Sequence, residues 1–193
     1  SILGTTGIVT PMSHDAYIAT IKSSIDVARA GGSRTLVFTT GRRSERFAME
    51  KLKKVPAQAF IQTGDFFKAG LDMAGRHPGI NTIIYAVFFG KAVKMAMGFE
   101  HTHAAKSDLT LNRLAGWAHR ITGSRLLADQ ITSANTARHA FSYIYPEHTG
   151  LVRFVGERII ESARRFSGGR FDIRVMIFDF DGAVACQSHP EAG

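Results

Sequence analysis

The sequence is poor in cysteine and in long apolar runs. Cys186 is the single cysteine among 193 residues, so no internal disulfide can form, which is typical of a reducing compartment. No apolar run approaches the roughly 20 residues that a membrane-spanning helix needs. The sequence also lacks a basic segment followed by an apolar one, the pattern of a secretory leader. We therefore expect a cytoplasmic protein with no membrane partner.

Acidic residues are also few relative to basic ones. The chain has 24 Lys and Arg against 16 Asp and Glu, which gives a formal net charge of +8. Such a surplus favours an anionic partner: nucleic acid, phosphate, or a small molecule with several carboxylates. However, the basic residues are scattered, and no basic run is interleaved with aromatic residues as in proteins that bind single strands. The sequence therefore predicts a small polyanionic ligand and no nucleic-acid partner.

Short apolar strands alternate with helix-like segments in the first half of the chain. Ser13 is expected to cap a helix that ends at Gly31 and Gly32. Strands are predicted over residues 35–39, 57–62 and 81–88, with helices over 44–54 and from about 66 to 74 between them. Such units imply a Rossmann-like, doubly wound α/β fold with a mostly parallel sheet and flanking helices. Residues 104–166 have a helical pattern.

The last apolar segments predict a C-terminal β-hairpin. Residues 171–178 and 183–186 flank the turn DFDG, at residues 179–182. The turn resembles the nucleophile motif of haloacid dehalogenases, in which the first aspartate attacks phosphate. Only residues 183–193 follow it, and Ala183 replaces the usual threonine, so we interpret the segment as a turn. The length suits one domain, over residues 1–193, and the start at Ser1 predicts that the chain is cut from a longer protein.

Two turns that follow predicted strands have the chemistry of a cofactor site. In open parallel sheets, ligands lie at the carboxyl ends of the strands, where glycines let a ligand approach and helix N-termini offer amide donors. The candidate cofactor-binding residues are Thr40, Gly41, Glu45, Thr63, Gly64 and Asp65. Ordinary turn chemistry is the alternative, because neither turn has a dinucleotide or P-loop fingerprint.

The segment FGKAVKMAMGFEHTHAAKSD, residues 89–108, is rich in cationic and imidazole side chains. Helical spacing places Lys91 and Lys94 on one side, with His101 and His103 beyond the end of that helix. The two histidines and Asp108 could hold a metal in a hydrolase, but a third strong ligand at the usual spacing is missing. We therefore predict an anion site without a metal, with a solvated helix flank as the alternative.

Together, these motifs resemble the cobalt-precorrin-5B (C-1)-methyltransferases of anaerobic cobalamin (vitamin B12) biosynthesis, the CbiD family. Residues 3–13 read LGTTGIVTPMS and resemble the family's GTTGIV-x-PMS segment. The other matching residues occur in the family's order: Thr40, Gly41, Glu45, Gln62, Asp65, Gly70, Gly90, Lys91, Lys94, Ala96, Gly98, Thr102, His103 and Asp108. Two departures are Val87-Phe88-Phe89, where the family has a Gly-His pair before the Gly-Lys, and Ala104, where it has serine.

The resemblance implies methyl transfer from S-adenosyl-L-methionine to C-1 of a cobalt-containing tetrapyrrole. It also implies that the chain is the C-terminal part of a longer enzyme whose N-terminal region is a partner of this domain. The strand-end turns would bind S-adenosylmethionine, and the carboxylates of the tetrapyrrole would suit a basic protein. The implied substrate-binding residues are Lys91, Lys94, His101 and Thr102, and the implied catalytic residues are His103 and Asp108. A non-catalytic polyanion-binding module and a metal-dependent hydrolase are the alternatives, and a homo-oligomer is compatible with the sequence.

Overall fold

The computed structural model describes residues 13–103 and 107–188, which form eight α-helices, one 3-10 turn and five β-strands. The segment LGTTGIVTPM and Ala104 lie outside the described residues. In chain order, the elements are α1 (His14–Ala30), β1 (Thr35–Thr39), α2 (Arg42–Lys51), the 3-10 turn (Ala57–Ala59), β2 (Phe60–Gln62), α3 (Phe67–Ala74), β3 (Thr82–Phe88), α4 (Phe89–Ala96), α5 (Ser107–Thr122), α6 (Arg125–Thr132), α7 (Ala137–Ile144), α8 (Thr149–Ser167), β4 (Asp172–Phe178) and β5 (Val184–Gln187).

The five strands form one mixed sheet in the order β2-β1-β3-β4-β5. The first four are parallel and β5 is antiparallel to β4, which confirms the mostly parallel sheet and the C-terminal hairpin. The central strands are buried on both faces, and this explains their almost continuous apolar sequences. Tyr85 of β3, for example, lies between Phe38 of β1 and Val175 of β4.

Helices cover the two faces of the sheet unequally. Helix α2 packs Phe47, Ala48 and Leu52 against one face. The other face packs against a larger core to which α1, α3, α4 and α8 contribute. The strand order explains this division, because the crossovers β1–α2–β2 and β2–α3–β3 run in opposite directions along the sheet. Right-handed crossovers then place α2 and α3 on opposite faces.

The largest differences from the predicted boundaries concern β2 and α2. Residues 57–59 form a 3-10 turn rather than the start of a strand, because Pro56 precedes it and the amide of Ala59 donates to the Pro56 carbonyl (2.9 Å). That amide is therefore used within the turn. Helix α2 begins at Arg42 and ends at Lys51, where the predicted helix ran from 44 to 54. Ser13 caps α1 as predicted, since its hydroxyl accepts a hydrogen bond from the Ala16 amide (3.2 Å).

The strand order reverses between β1 and β3. Parallel sheets have a crevice at the carboxyl ends of the two strands that flank such a reversal, and ligands of α/β proteins bind there. Residues 40–43 follow β1, and residues 89–94 follow β3, so both predicted site segments lie at this edge. Within the described part of the chain, no helix is long and apolar enough to cross a lipid bilayer.

Candidate functional site

The turns after β1 and β2 are joined by hydrogen bonds at the carboxyl edge of the sheet. The amides of Thr63 and Gly64 both donate to the Thr39 carbonyl, at 2.8 and 3.3 Å. In the first turn, the Ser44 hydroxyl accepts from the Thr40 amide (3.2 Å) and donates to the Gly41 carbonyl (2.9 Å). The two predicted cofactor turns therefore form one continuous surface.

The two turn glycines, Gly41 and Gly64, differ in whether their positions could accept a side chain. Gly64 has φ +59°, and a Cβ there would lie 2.7 Å from the Tyr17 hydroxyl oxygen. Gly41 has an extended backbone, and a Cβ there would meet no protein atom within 4 Å. The fold therefore requires glycine at position 64, while position 41 faces open space that a ligand could occupy.

Asp65 connects the second turn to α4 and to the loop after it. Its Oδ1 accepts hydrogen bonds from the Lys91 ammonium group and from the Thr102 hydroxyl (2.5 Å). The Nδ1 atom of His103 lies 3.8 Å from the other carboxylate oxygen. Burial alone would raise the pKa of Asp65, but the hydrogen bonds from Lys91 and Thr102 and the charge of Lys91 outweigh it and lower that pKa. Asp65 is therefore a carboxylate at neutral pH.

His101 lies beside Asp65 in an aromatic environment. Its ring makes an edge contact with Phe66 (centroids 4.6 Å apart) and stacks on His14 (5.3 Å). The Nε2 atom is buried and has no hydrogen-bond partner among the described residues. Burial lowers the pKa of His101, as do the neighbouring His14, His103 and Lys91, against the opposing charge of Asp65. The lowered pKa favours the neutral form of the ring, which is consistent with a buried ring nitrogen that has no partner.

A cavity of about 380 Å³, the smaller pocket, opens among these residues. Its lining combines aromatic and imidazole rings with one carboxylate: His14, Tyr17, Thr40, Gly64, Asp65, Phe66, His101 and His103. Thr63 and Thr102 are buried beneath this surface. The Glu45 carboxylate lies at its margin and accepts a hydrogen bond from the Gln62 side-chain amide (2.7 Å). Burial raises the pKa of Tyr17, and the charges of Asp65 and Glu45 raise it further.

A second cavity of about 410 Å³, the larger pocket, lies at the carboxyl ends of β3 and β4. Its lining is cationic and apolar: Arg43, Phe88, Gly90, Lys91, Lys94, Thr110, Thr136, Ala137, Arg138 and Phe180. Lys91 connects the two pockets, because it is a lining residue of the larger one and its ammonium group pairs with Asp65 of the smaller one. Burial lowers the pKa of Lys94, and so does the charge of Lys91.

The structure brings most of the predicted site residues together, but Asp108 lies apart. Asp108 is exposed in the first turn of α5 and lines neither pocket. His103 lines the smaller pocket, but its side chain is 82% exposed. Asp179 Oδ1 accepts hydrogen bonds from the Asp181 and Ala183 amides (2.9 and 2.8 Å), so this aspartate shapes the hairpin turn. Residues 13–103 and 107–188 contain no group of three or more side chains arranged to hold a metal ion.

Sequence reasoning did not identify several pocket-lining residues. Arg43 lies two residues after the candidate pair Thr40 and Gly41 and could have been found from that position. Arg138 and Phe180 could not, because nothing in their local sequence indicates that α7 and the hairpin turn reach the same cavity. His14 and Tyr17 come from the first turn of α1, whose pattern predicted only a helix.

Fold and site together define an α/β protein with two adjoining pockets at the carboxyl edge of a mostly parallel sheet. The chain belongs to the CbiD family: residues 101–189 match the family model described as "CbiD, C-terminal domain". It is similar to proteins named cobalt-precorrin-5B C(1)-methyltransferase throughout its length.

These relatives include the protein of Nitratidesulfovibrio vulgaris, 38% identical over 185 residues, which are 94% of this chain and 47% of the relative. The protein of Dechloromonas aromatica is 35% identical over 189 residues, 97% of this chain and 48% of the relative. That of Rubrobacter xylanophilus is 35% identical over 193 residues, 100% of this chain and 50% of the relative. The chain thus spans about half the length of the curated relatives it matches. No solved structure matches it.

Proposed function

We propose that this chain is the C-terminal part of an enzyme that transfers a methyl group from S-adenosyl-L-methionine to C-1 of cobalt-precorrin-5B in cobalamin biosynthesis. The names of its relatives support the reaction. One structural observation supports it further: two pockets of different charge adjoin at one sheet edge and share the Asp65–Lys91 ion pair. The proposal includes a Rossmann-like doubly wound fold, a single domain over residues 1–193, and a cytoplasmic location.

The smaller pocket fits the methyl donor. S-adenosylmethionine, when bound, supplies an electrophilic methyl group on a positively charged sulfur. The Tyr17 and Phe66 rings and the Asp65 carboxylate are groups that attract a cation. The open space at Gly41 would allow a close approach of the ligand to the backbone. In this proposal Thr40, Gly41, Thr63 and Gly64 form the backbone surface, and Glu45 with Asp65 binds ribose hydroxyls or the amino group.

The larger pocket fits the acidic tetrapyrrole. Lys91 and Lys94 lie one helical turn apart on α4 and would bind side-chain carboxylates of the macrocycle. His101, on the other side of Lys91, would contact the part of the substrate nearest the methyl donor. Thr102 is buried and would act on substrate binding through its hydrogen bond to Asp65. Because the reacting carbon and the methyl group must align, positioning would supply most of the rate acceleration.

His103 is the proposed proton acceptor. Its Nδ1 atom lies 3.8 Å from a carboxylate oxygen of Asp65, and its exposed ring could accept a proton from the substrate. We keep Asp108 as a second candidate for proton handling, since residues 104–106 between it and His103 lie outside the described part of the chain.

Calorimetry with matched glycine variants tests the donor site. S-adenosylmethionine is titrated into the wild-type chain, Gly41→Ala and Gly79→Ala. A Cβ meets nothing within 4 Å at either position, so both variants should fold normally. We expect micromolar binding by the wild-type chain, weaker binding by Gly41→Ala, and no change for Gly79→Ala. Absence of binding to a folded wild-type chain, alone and together with its N-terminal region, would refute the proposal.

A non-catalytic polyanion-binding module is the second candidate, and the net charge of +8 favours it. It predicts binding to unrelated nucleic acids with an affinity that falls steeply with salt, and no effect of S-adenosylmethionine. Salt-dependent titration with a random oligonucleotide separates the two proposals.

A further inference from the structure

The larger pocket collects four cations from three separate parts of the chain. Arg43 comes from α2, Lys91 and Lys94 from α4, and Arg138 from α7. No carboxylate is among the residues that line this pocket within the described ranges. Like charges that converge repel one another, and Asp65, the partner of Lys91, lies outside this lining, so the arrangement favours an anionic ligand.

Two of these cations have no anionic partner in the described part of the chain. Lys91 is paired with Asp65, and Arg43 donates a hydrogen bond to the Phe180 carbonyl through one nitrogen. Lys94 and Arg138 lie within 4 Å of no carboxylate of residues 13–103 and 107–188. Arg43 also keeps N–H donors that the Phe180 carbonyl does not use, since a guanidinium group has several.

Each of the two arginines lies over a phenylalanine ring of the pocket. The rings of Phe88 and Phe180 are nearly parallel, with 4° between their planes and 5.9 Å between their centroids. The Arg138 guanidinium carbon lies 4.3 Å from the Phe180 centroid, and that of Arg43 lies 5.4 Å from the Phe88 centroid. Stacking on a ring restricts a guanidinium group, so that less freedom is lost when it binds a carboxylate in the bidentate mode.

The size of the pocket limits what part of a ligand can enter it. A volume of about 410 Å³ is at the lower end of the range for small-molecule sites. It suits one edge of a large macrocycle, with its acidic side chains, better than the whole ring. An extended nucleic-acid strand would require a groove rather than a recess.

We propose that Arg43 and Arg138 are specificity-determining substrate residues, which bind carboxylate side chains on one edge of a tetrapyrrole macrocycle while that edge lies against Phe88 and Phe180. The proposal rests on the function proposed above and assigns it residues that the sequence resemblance does not. According to this proposal, the affinity of the pocket for a tetrapyrrole depends on the number of acidic side chains on the ring.

Absorbance titration with uroporphyrin, an octacarboxylic porphyrin, tests this assignment with the chain as it is. The variants are Arg43→Gln and Arg138→Gln, with Arg138→Lys as the conservative change. Arg125→Gln is the matched control, because this substitution removes the same charge as Arg138→Gln. Arg125 is exposed on α6 and lines neither pocket. Protoporphyrin, with two carboxylates, is the comparison ligand, and binding of S-adenosylmethionine is measured in parallel by calorimetry.

We expect wild-type affinity for uroporphyrin to exceed that for protoporphyrin. Arg138→Gln should weaken uroporphyrin binding about tenfold or more, as expected for loss of a hydrogen bond to a charged group. The uroporphyrin affinity of Arg138→Lys should lie between those of the wild type and Arg138→Gln, and that of Arg125→Gln should equal the wild-type value. The affinity for S-adenosylmethionine should be the same in all variants. Arg43→Gln should behave like Arg138→Gln, but it also loses the contact to Phe180, so Arg138 gives the cleaner result.

Three results would overturn the proposal: no uroporphyrin binding by the wild-type chain, no preference for the more acidic porphyrin, or Arg138→Gln and Arg125→Gln variants that bind equally. Each leaves the donor site untouched. Failure of the proposed function has a different signature, namely absence of S-adenosylmethionine binding whatever the porphyrin result.

Discussion

The two pockets lie side by side but differ in the charge and type of the side chains that line them. The smaller pocket is lined by aromatic and imidazole rings, two turns and one carboxylate, and backbone hydrogen bonds join the two turns. The larger pocket is lined by four long cationic side chains and two phenylalanines. A single ion pair, Asp65–Lys91, forms the boundary, so a cationic ligand and a polyanionic one are attracted to neighbouring but different places.

The first prediction concerns the rigid surface of the smaller pocket. Gly64→Ala should lower the free energy of unfolding by about 1–3 kcal/mol, because its φ of +59° disfavours a Cβ and that Cβ would contact the Tyr17 hydroxyl. Gly41→Ala, in an extended and open position, should change it by less than about 0.5 kcal/mol. Urea denaturation measures both. Equal effects at the two positions would show that the second turn is not constrained as described.

The second prediction concerns the boundary between the pockets. Asp65→Asn removes the charge that Lys91 and Thr102 contact, and should cost about 1–2 kcal/mol of unfolding free energy. Asp72→Asn is the matched control, because Asp72 forms an exposed pair with Lys68 on α3 and should cost about 0.5 kcal/mol or less. An Asp65→Asn variant as stable as the control would contradict the role of the ion pair.

The third prediction concerns how the stability contributed by the Asp65–Lys91 ion pair depends on pH. The pKa of Asp65 is lowered from its ordinary value of 3.8, so folding favours the ionised form. The stability this contributes is present above pH 3.8 and is lost as the pH falls through the lowered folded-state pKa. The difference in unfolding free energy between wild type and Asp65→Asn should therefore be constant near neutral pH and shrink in acid. A difference that grows on acidification would reverse the sign and reject the ion-pair account.

The smallest predicted effect belongs to the larger pocket. Burial and the charge of Lys91 lower the pKa of Lys94, so holding this charge costs the folded chain more than the unfolded one. Lys94→Met should therefore leave stability unchanged or raise it by about 0.5 kcal/mol. Lys91→Met should instead lower stability, since Asp65 loses its partner. Thermal unfolding of the two variants compares them directly, and a destabilised Lys94→Met variant would argue against excess positive charge in this pocket.

Local signals predicted the elements that local chemistry determines. The continuous apolar sequences of β1 and β3 indicated strands buried on both faces, and Ser13 indicated the start of α1. Residues 57–59 have an apolar pattern that predicted a strand, but they form a 3-10 turn after Pro56. The carboxyl ends of parallel strands lie at one edge of the sheet, and this rule placed Asp65, after β2, near Lys91, after β3.

The larger pocket could not be predicted in the same way. Arg138 reaches it because α7 packs on α4, and Phe180 reaches it because the hairpin turn lies beside β3. Both depend on contacts between residues far apart in sequence. Asp108 shows the converse, since nearness in sequence to His103 did not place it in a pocket.

The pairing of β3 with β4 has a consequence for the order in which the molecule can be made, because residues 89–171 must be synthesised between the two strands. A nascent chain that has emerged as far as residue 103 already contains every residue of the smaller pocket. The larger pocket lacks one wall until Phe180 leaves the ribosome. The last lining residues of the two pockets therefore emerge at different moments of translation, those of the smaller pocket first.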